Sequence, residues 1–225
     1  MNKKGYTLAE VLITLGVIGV ISAVTLPPII QNYQKQATAS RLKKAYNNLN
    51  NAMQMAVNDN GDMNTWDFSE AGYIVENSVF YKTYIKPYFK ILKVITKNNQ
   101  GYDRNTKTID GKSMLTPTNW YILSDGTIIS MYNNFSSFSH YFWIFVDING
   151  AKSPNRLGKD IFMLELDEKK NRIKFWNQGQ TNNQLKSNTG GGYQCTKGTN
   201  GNHAGGNCGA KIMQDGWKIS DDYPW

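Results

Sequence analysis

The sequence predicts an α+β fold in which one long N-terminal helix packs on a roughly four-stranded antiparallel sheet. Three patterns predict it. Residues 11–34 contain no charged side chain, the apolar residues of 35–60 recur at helical spacing, and the pattern becomes that of strands between 120 and 176. A helix that is apolar all round at its start and amphipathic afterwards is typical of a membrane anchor that continues into a folded head.

The apolar run 11–34 is long enough to cross a membrane, because a helix rises about 1.5 Å per residue and the hydrocarbon core is about 30 Å thick. Lys3 and Lys4 precede the run, and basic residues on this flank predict a cytoplasmic N-terminus and an exported C-terminal part. Glu10 is the one charge inside the apolar block. A carboxylate near the bilayer is costly unless it is paired, so Glu10 is a candidate functional residue.

The residues around Glu10 carry a family resemblance. Lys-Lys-Gly at 3–5, followed by Tyr-Thr-Leu-Ala-Glu at 6–10, resembles the class III signal peptide of type IV pilins and type II secretion pseudopilins. In that family a prepilin peptidase cuts after the glycine, and the new N-terminal residue is methylated. The resemblance implies cleavage between Gly5 and Tyr6, methylation of Tyr6, and assembly roles for Glu10 and the helix-kinking Pro27. Tyr6 replaces the usual phenylalanine but stays aromatic.

The resemblance also implies a division of the chain and a pilin-like fold. Residues 1–5 are then the leader peptide, 6–34 the transmembrane and assembly helix, 35–60 the amphipathic half of that helix, and 61–225 the globular head. The freed ammonium of Tyr6 on a neighbouring subunit would pair with Glu10 and set the stagger between helices. Two alternatives stay open: an ordinary secretory signal cut near Ala23, and an uncut single-span anchor.

The amphipathic half is predicted to end at a glycine cap. Apolar positions from Leu42 to Val57 lie on one face, and Gly61 follows as a left-handed C-cap. Further along, 77–84 is predicted to be helical, Pro87 to end or bend that helix, and 88–92 to form a short second piece of it. Residues 98–117 are polar and predicted to be a loop. Pro27 and Pro28 predict a kink or local melting within the apolar run.

Strand patterns fill the next stretch. Residues 120–123 and 127–131 flank a Ser-Asp-Gly turn and predict a hairpin. Residues 141–148 are apolar on both faces and predict a central strand, and 161–166 with 172–176 predict a second hairpin. Sequential hairpins imply antiparallel pairing, so these strands are expected to cover the apolar face of the helix.

The C-terminal part contains the only two cysteines, Cys195 and Cys208. In an exported head they are expected to form a disulfide, worth about 3 kcal/mol in the chain-entropy model. A metal pair with His203 is the alternative, although this spacing matches no zinc pattern well. Residues 177–207 are predicted to be a surface loop and 207–214 a short helix, with Trp217, Ile219 and Trp225 fastening the tail to the sheet.

One loop contains candidate ligands for a cation. Asp147, Asn149 and Asp160 are oxygen ligands of the kind calcium prefers, but the pattern departs from an EF-hand loop after its second ligand. The same side chains are also typical of turns that bond their own backbone. Catalysis has little support because the sequence contains no GxSxG, P-loop or HExxH motif. We therefore expect a non-enzyme with no cofactor, or with calcium as its one candidate.

The charge balance leaves nucleic acid as an undecided partner. The chain has 25 basic and 17 acidic side chains, and removal of Lys3 and Lys4 lowers the net charge from +8 to +6. Lysines alternate with aromatic residues between Lys82 and Lys93. This pattern is typical either of a surface that binds nucleic acid or of an ordinary amphipathic helix. No compact basic patch decides between them.

These observations predict a structural subunit of a type IV pilus-like or type II secretion filament. Its expected partners are other pilin-like subunits in a homo- or heteropolymer, prepilin peptidase, an inner-membrane assembly platform and membrane lipid. We expect a single-pass protein of the bacterial inner membrane with an exported head, which then joins a periplasmic or surface filament. The alternatives are a membrane-anchored binding domain that never polymerises and a subunit of a DNA-uptake filament.

Overall fold

The structure is a computed structural model that describes residues 5–70, 72–96, 106–114, 119–135, 140–150, 152–187, 192–198 and 201–225. It divides into two compact units, which we call the N-terminal unit (Met1–Ala37) and the C-terminal unit (Thr38–Trp225). Lys3, Lys4 and most of the predicted leader lie outside the described residues, as do 98–105 and 115–117 of the predicted 98–117 loop. The predicted division into leader, helix halves and head stays a prediction.

Helix α1 (Leu8–Asn60) begins in the first unit and ends in the second. Within the C-terminal unit it buries one stripe of side chains at helical spacing, namely Ala39, Leu42, Ala45, Leu49, Met53 and Ala56. Gly61 ends the helix with φ +81°, and its N–H donates to the Val57 carbonyl at 2.8 Å. This is the predicted left-handed cap, a conformation that glycine adopts without steric cost.

The buried stripe of α1 packs against a seven-stranded antiparallel sheet. Its strands are β1 (Gly72–Tyr73), β2 (Ile91–Ile95), β3 (Trp120–Leu123), β4 (Ile128–Phe135), β5 (His140–Asp147), β6 (Ile161–Asp167) and β7 (Arg172–Phe175). Strands β2 to β7 are adjacent in chain order, and β1 pairs with β4. Simple adjacency of this kind follows from short connections between antiparallel neighbours.

Hydrogen bonds from polar side chains of α1 tie the helix to the sheet, and two of them show where. The Asn50 Oδ1 accepts from the Ile173 N–H of edge strand β7 at 2.9 Å. The Asn48 Nδ2 donates to the Asp125 Oδ2 in the β3–β4 turn at 2.8 Å. Polar side chains on the flanks of the buried stripe therefore cap the sheet at both an edge and a turn.

Both faces of the sheet carry apolar clusters. Side chains on the helix side, such as Ile129, Ile144 and Phe175, join the main core with α1. The alternate residues, such as Ile128, Phe145 and Met163, form a second cluster on the outer side. Since strand side chains alternate between faces, a strand buried on both faces reads as a continuous apolar run, as predicted for 141–148.

The α+β class is confirmed, but three details of the prediction were wrong. The sheet has seven strands rather than about four, because β1 is too short to show a pattern and β2 occupies residues assigned to a second helical piece. Strand β2 takes up the last two residues of the predicted 88–92 piece, and there its pairing with β3, which begins at Ile91, outweighs the helical spacing. The helix predicted at 77–84 is shorter and later, with a π-helical turn at Tyr81–Ile85.

The C-terminal region contains two short helices, α2 (Asn182–Lys186) and α3 (Cys208–Gln214). The second confirms the helix expected at 207–214, whereas the first lies inside the predicted loop. Thr181 and Gln184 form a capping box around the start of α2, and that box was legible in the sequence. Trp217 contacts Tyr46 of α1 and Phe175 of β7, with ring centroids 5.7 and 6.0 Å apart.

Candidate assembly site and sites of the C-terminal unit

Glu10 is engaged within its own helix start. The Thr7 N–H and the Thr7 hydroxyl both donate to the Glu10 Oε2 at 2.8 Å, and the Glu10 N–H donates to the Thr7 Oγ1 at 3.3 Å. This reciprocal arrangement is a capping box, which satisfies N–H groups that have no partner inside the helix. This capping box was not predicted, although Thr-x-x-Glu before an apolar run is its sequence signature.

The apolar residues that follow Glu10 have no core to fill. None of residues 5–34 is buried; Leu15, for example, keeps 61% of its surface exposed. Among the described residues one helix, α1, is long and apolar enough to cross a membrane. Apolar surface on this scale requires lipid or neighbouring chains around it.

Pro27 and Pro28 lie inside α1, and the helix is continuous through them. The predicted local melting is therefore not seen in the single chain. Each proline lacks an N–H, so the carbonyls of Ala23 and Val24 lose their usual helical donors. The helix is thus weakened at this point without being interrupted.

Two sequence families match the chain. Residues 1–26 match the prokaryotic N-terminal methylation motif, which is the prepilin cleavage signal of type IV pilins and pseudopilins. Residues 28–225 match a family of unknown function (DUF6613). The chain belongs to this family. No curated protein and no solved structure matches it.

The methylation motif confirms the resemblance drawn from residues 3–10 and makes this a pilin-like chain with an apolar N-terminal helix. It points to a structural subunit rather than an enzyme. The second match begins at residue 28, beside the prolines of α1. The methylation motif and residues 28–225 therefore match separate sequence families.

The three residues considered for calcium come together in one loop network. The Asn149 N–H donates to the Asp147 Oδ1 at 3.0 Å, and the Asn149 Nδ2 donates to the Asp160 Oδ2 at 3.0 Å. The N–H groups of Asn155 and Arg156 also donate to Asp160, at 2.8 and 2.6 Å. Burial raises the pKa of the Asp160 carboxyl, and these hydrogen bonds oppose the shift.

That network uses both carboxylates as acceptors for nitrogen donors of the loop. Among the described residues, no group of three or more His, Cys, Asp and Glu side chains is placed to hold a metal ion. A cation at this loop would have to displace the donors that now occupy Asp160. Hydrogen bonds of this kind are typical of turns in which Asp and Asn side chains bond the nearby backbone.

Cys195 and Cys208 form a disulfide and are both fully buried. Their sulfurs are therefore not available as thiolate ligands, which removes the metal alternative with His203. The imidazole of His203 instead stacks on Tyr193, with ring centroids 5.1 Å apart, and burial lowers its pKa. A Cβ on Gly158, which has φ +77°, would lie 2.8 Å from the Cys208 Sγ, so this position requires glycine.

A buried lysine is the main charged feature that the sequence did not reveal. The side chain of Lys211 in α3 is 1% exposed, and its Nζ lies 2.9 Å from the Asp215 Oδ2 and 3.1 Å from the Asp222 Oδ1. Asp222 also pairs with Lys186 of α2. Burial alone would lower the pKa of Lys211, but the two carboxylates outweigh it and raise that pKa. We call these four residues the C-terminal ion cluster.

Proposed function

We propose that this chain is a pilin or pseudopilin subunit that polymerises through residues 6–34 into a type IV pilus-like or type II secretion filament. The observation that carries the proposal is the methylation motif at 1–26, together with an N-terminal helix whose apolar residues from Leu8 to Tyr33 are all exposed. A helix of this kind is complete only when lipid or other subunits surround it. The work of the protein is then mechanical rather than catalytic.

Glu10 gives the assembly its register in this proposal. The capping box at Thr7 and Glu10 holds the carboxylate at the start of α1 in the single chain. After cleavage between Gly5 and Tyr6, the new ammonium of a neighbouring subunit offers a stronger partner than the Thr7 N–H. Pairing of that ammonium with Glu10 fixes the axial stagger of adjacent helices, as a buried polar group does in coiled coils.

The same proposal gives a path through the cell. Lys3 and Lys4 hold the N-terminus on the cytoplasmic side of the inner membrane, and the C-terminal unit is exported. Prepilin peptidase, the assembly platform, membrane lipid and other pilin-like subunits are its partners on that path. The disulfide agrees with export to an oxidising compartment.

Mass spectrometry of the N-terminal peptide tests the processing step. The protein recovered from host membranes should begin at Tyr6 and carry one additional methyl group. A peptide that begins at Met1 contradicts processing, and one that begins near Val24 indicates secretion after an ordinary signal-peptide cut.

Substitution of Glu10 tests assembly against the non-polymerising anchor. Glu10→Ala should abolish recovery of the protein in sheared filaments while the chain remains in the membrane, because the ammonium of the neighbour then loses its partner. Thr25→Ala is the matched control, since the Thr25 hydroxyl only donates to the Ile21 carbonyl of the same helix. Filaments that form normally with Glu10→Ala would favour the anchor.

We also propose that the C-terminal unit folds without calcium, supported by the donors that occupy Asp160. The melting temperature of the purified chain should be the same in about 1 mM calcium, which is on the order of the dissociation constants of weak extracellular sites, as in excess chelator. Asp160→Asn should lower the melting temperature in both buffers. A melting temperature that falls only with chelator, and only when Asp160 is intact, would establish a calcium site instead.

A further inference from the structure

The outer face of the sheet carries a contiguous group of aromatic side chains that the assembly function does not use. We call this group the aromatic patch, and it consists of Tyr73, Tyr132, Tyr141, Trp143, Trp176 and Tyr193. Trp143 lies at its centre and is 8% exposed, whereas the other five side chains are half-buried. The patch therefore consists of five partly exposed aromatic side chains around one buried side chain.

Strand pairing explains how these rings meet. Tyr73 on β1 pairs with Tyr132 on β4, and Tyr132 pairs with Trp143 on β5, so the three side chains form a row across three strands. Tyr141 lies two residues from Trp143 on the same face and stacks on it with centroids 4.3 Å apart. Trp176 and Tyr193 extend the patch, with their centroids 5.1 Å apart.

Within the part of the chain that the structure describes, the tyrosine hydroxyl groups of the patch have no hydrogen-bond partner. Among the described residues, the hydroxyls of Tyr73, Tyr132, Tyr141 and Tyr193 make no hydrogen bond, and none of them is an enclosed atom. By contrast, Tyr121 in the core donates its hydroxyl hydrogen to the Ile74 carbonyl at 2.8 Å. Tyrosines of the patch thus offer apolar ring faces and free hydroxyl edges at a small cost in conformational entropy.

The patch adds no excess charge. The row through Tyr132 and Trp143 continues to Glu165 and Lys174, which form an ion pair at 3.2 Å. A nucleic acid would require unpaired lysines or arginines along its phosphate backbone. A neutral ligand with an apolar face and hydroxyl edges matches the patch better, because ring faces attract weakly positive C–H groups and the tyrosine hydroxyls exchange hydrogen bonds with other hydroxyls.

We propose that the aromatic patch binds a neutral β-1,4-linked pyranose chain. Such a polysaccharide is a flat ribbon with C–H groups on both faces and hydroxyls along both edges. Its pyranose rings would lie across Tyr132 and Tyr141, with Trp143 beneath them and the free hydroxyls at the rim. This function is independent of polymerisation, and it would give an exported subunit contact with a glycan surface.

Titration with chitohexaose and cellohexaose tests the proposal. The full chain is purified in a detergent without a sugar headgroup, since a glycosidic detergent would compete for the patch. Binding is followed by calorimetry and by tryptophan fluorescence, which reports on Trp143 and Trp176. At least one hexasaccharide should bind saturably, and Tyr132→Ala or Tyr141→Ala should weaken it by about tenfold or more.

Three variants separate binding from folding and from assembly. Tyr141→Phe keeps the ring and should lose less affinity than Tyr141→Ala, even if the alanine variant is less stable. Tyr88→Ala removes a half-buried tyrosine that lines a groove beside α1, and it should bind as the wild type does. Glu10→Ala should also bind normally, so a failed filament does not affect this result.

Several outcomes overturn the proposal. One is that neither hexasaccharide binds, and another is that binding survives Tyr132→Ala and Tyr141→Ala. Binding of an oligothymidylate in place of both hexasaccharides would identify the patch as a nucleic-acid surface. Self-association that Tyr141→Ala abolishes, without hexasaccharide binding, would identify a second copy of the chain as the occupant.

Discussion

Leu15 and Leu49 belong to the same helix, yet 61% of the first side chain is exposed and only 1% of the second. In the N-terminal unit, α1 is uncharged and mostly apolar on every side from Val11 to Ile30, and none of residues 5–34 is buried. The part in the C-terminal unit is polar except for one stripe, and that stripe is buried against the sheet. One unit completes its structure within the chain, and the other requires surroundings that the chain does not supply.

Matched leucine truncations should show this difference most strongly. Leu49→Ala should lower the free energy of unfolding of the C-terminal unit by about 3 kcal/mol, because it leaves a cavity in the core. Leu15→Ala should change it by less than about 0.5 kcal/mol. Urea unfolding of the full chain measures both, since all six tryptophans lie in the C-terminal unit. Equal losses for the two variants would contradict the comparison.

The C-terminal ion cluster should make the stability of the C-terminal unit depend on pH at both extremes. Hydrogen bonds from Lys186, Ser220 and Lys211 lower the pKa of Asp222, so its stabilisation is complete above the unfolded value of about 3.9 and is lost as pH falls below it. The pKa of Lys211 is raised, so its stabilisation is complete below about 10.4 and is lost as pH rises through the folded pKa.

Urea midpoints should be measured from about pH 2 to about pH 11, a range that includes the unfolded pKa values of Asp and Lys. We expect the highest midpoints near neutral pH. Lys211→Met should lower the free energy of unfolding near neutral pH by about 2 kcal/mol, because two carboxylates lose their buried cation. It should also weaken the dependence of the urea midpoint on pH at both extremes. Lys218→Met removes the same charge from an exposed site and should leave the profile unchanged. An unaltered profile with Lys211→Met would show that the cluster contributes nothing to it.

The two capping boxes give the smallest and most closely matched test. Thr181→Ala should lower the free energy of unfolding by about 1 kcal/mol, and Thr181→Ser should restore most of it, because the hydroxyl accepts from the Gln184 N–H. Thr7→Ala removes the equivalent hydroxyl beside Glu10 and should leave this free energy unchanged. We expect Thr7→Ala to lower the yield of filaments instead. A drop in the stability of the C-terminal unit with Thr7→Ala would contradict the view that the two units are stabilised separately.

Features that depend on local pattern were predictable from the sequence. The residues from 3 to 10 give the methylation motif, the spacing from Leu42 to Val57 gives the buried stripe of α1, and Gly61 gives its cap. The β3–β4 and β6–β7 hairpins follow from alternation around short polar turns. In each case one segment carries the whole signal.

Features that depend on tertiary pairing were not predictable. Strand β2 exists because β3 pairs with it, although its residues 91 and 92 continue a helical spacing. Lys211 reads as an ordinary helix lysine until α2 and the tail bring Lys186 and Asp222 beside it. The aromatic patch joins residues from β1, β4, β5 and two later segments, and no local pattern links them.

The two apolar faces of the sheet set unequal limits on how this chain can change over evolution. From Trp143 to Asp147, every residue of β5 is buried, so substitutions on either face disturb a core. At Tyr132 and Tyr141 only the helix side of the sheet is closed, so these two side chains can change with less disturbance of the core. A substitution at that end of the outer face changes what the surface binds, whereas a substitution in the closed part of β5 changes whether the chain folds.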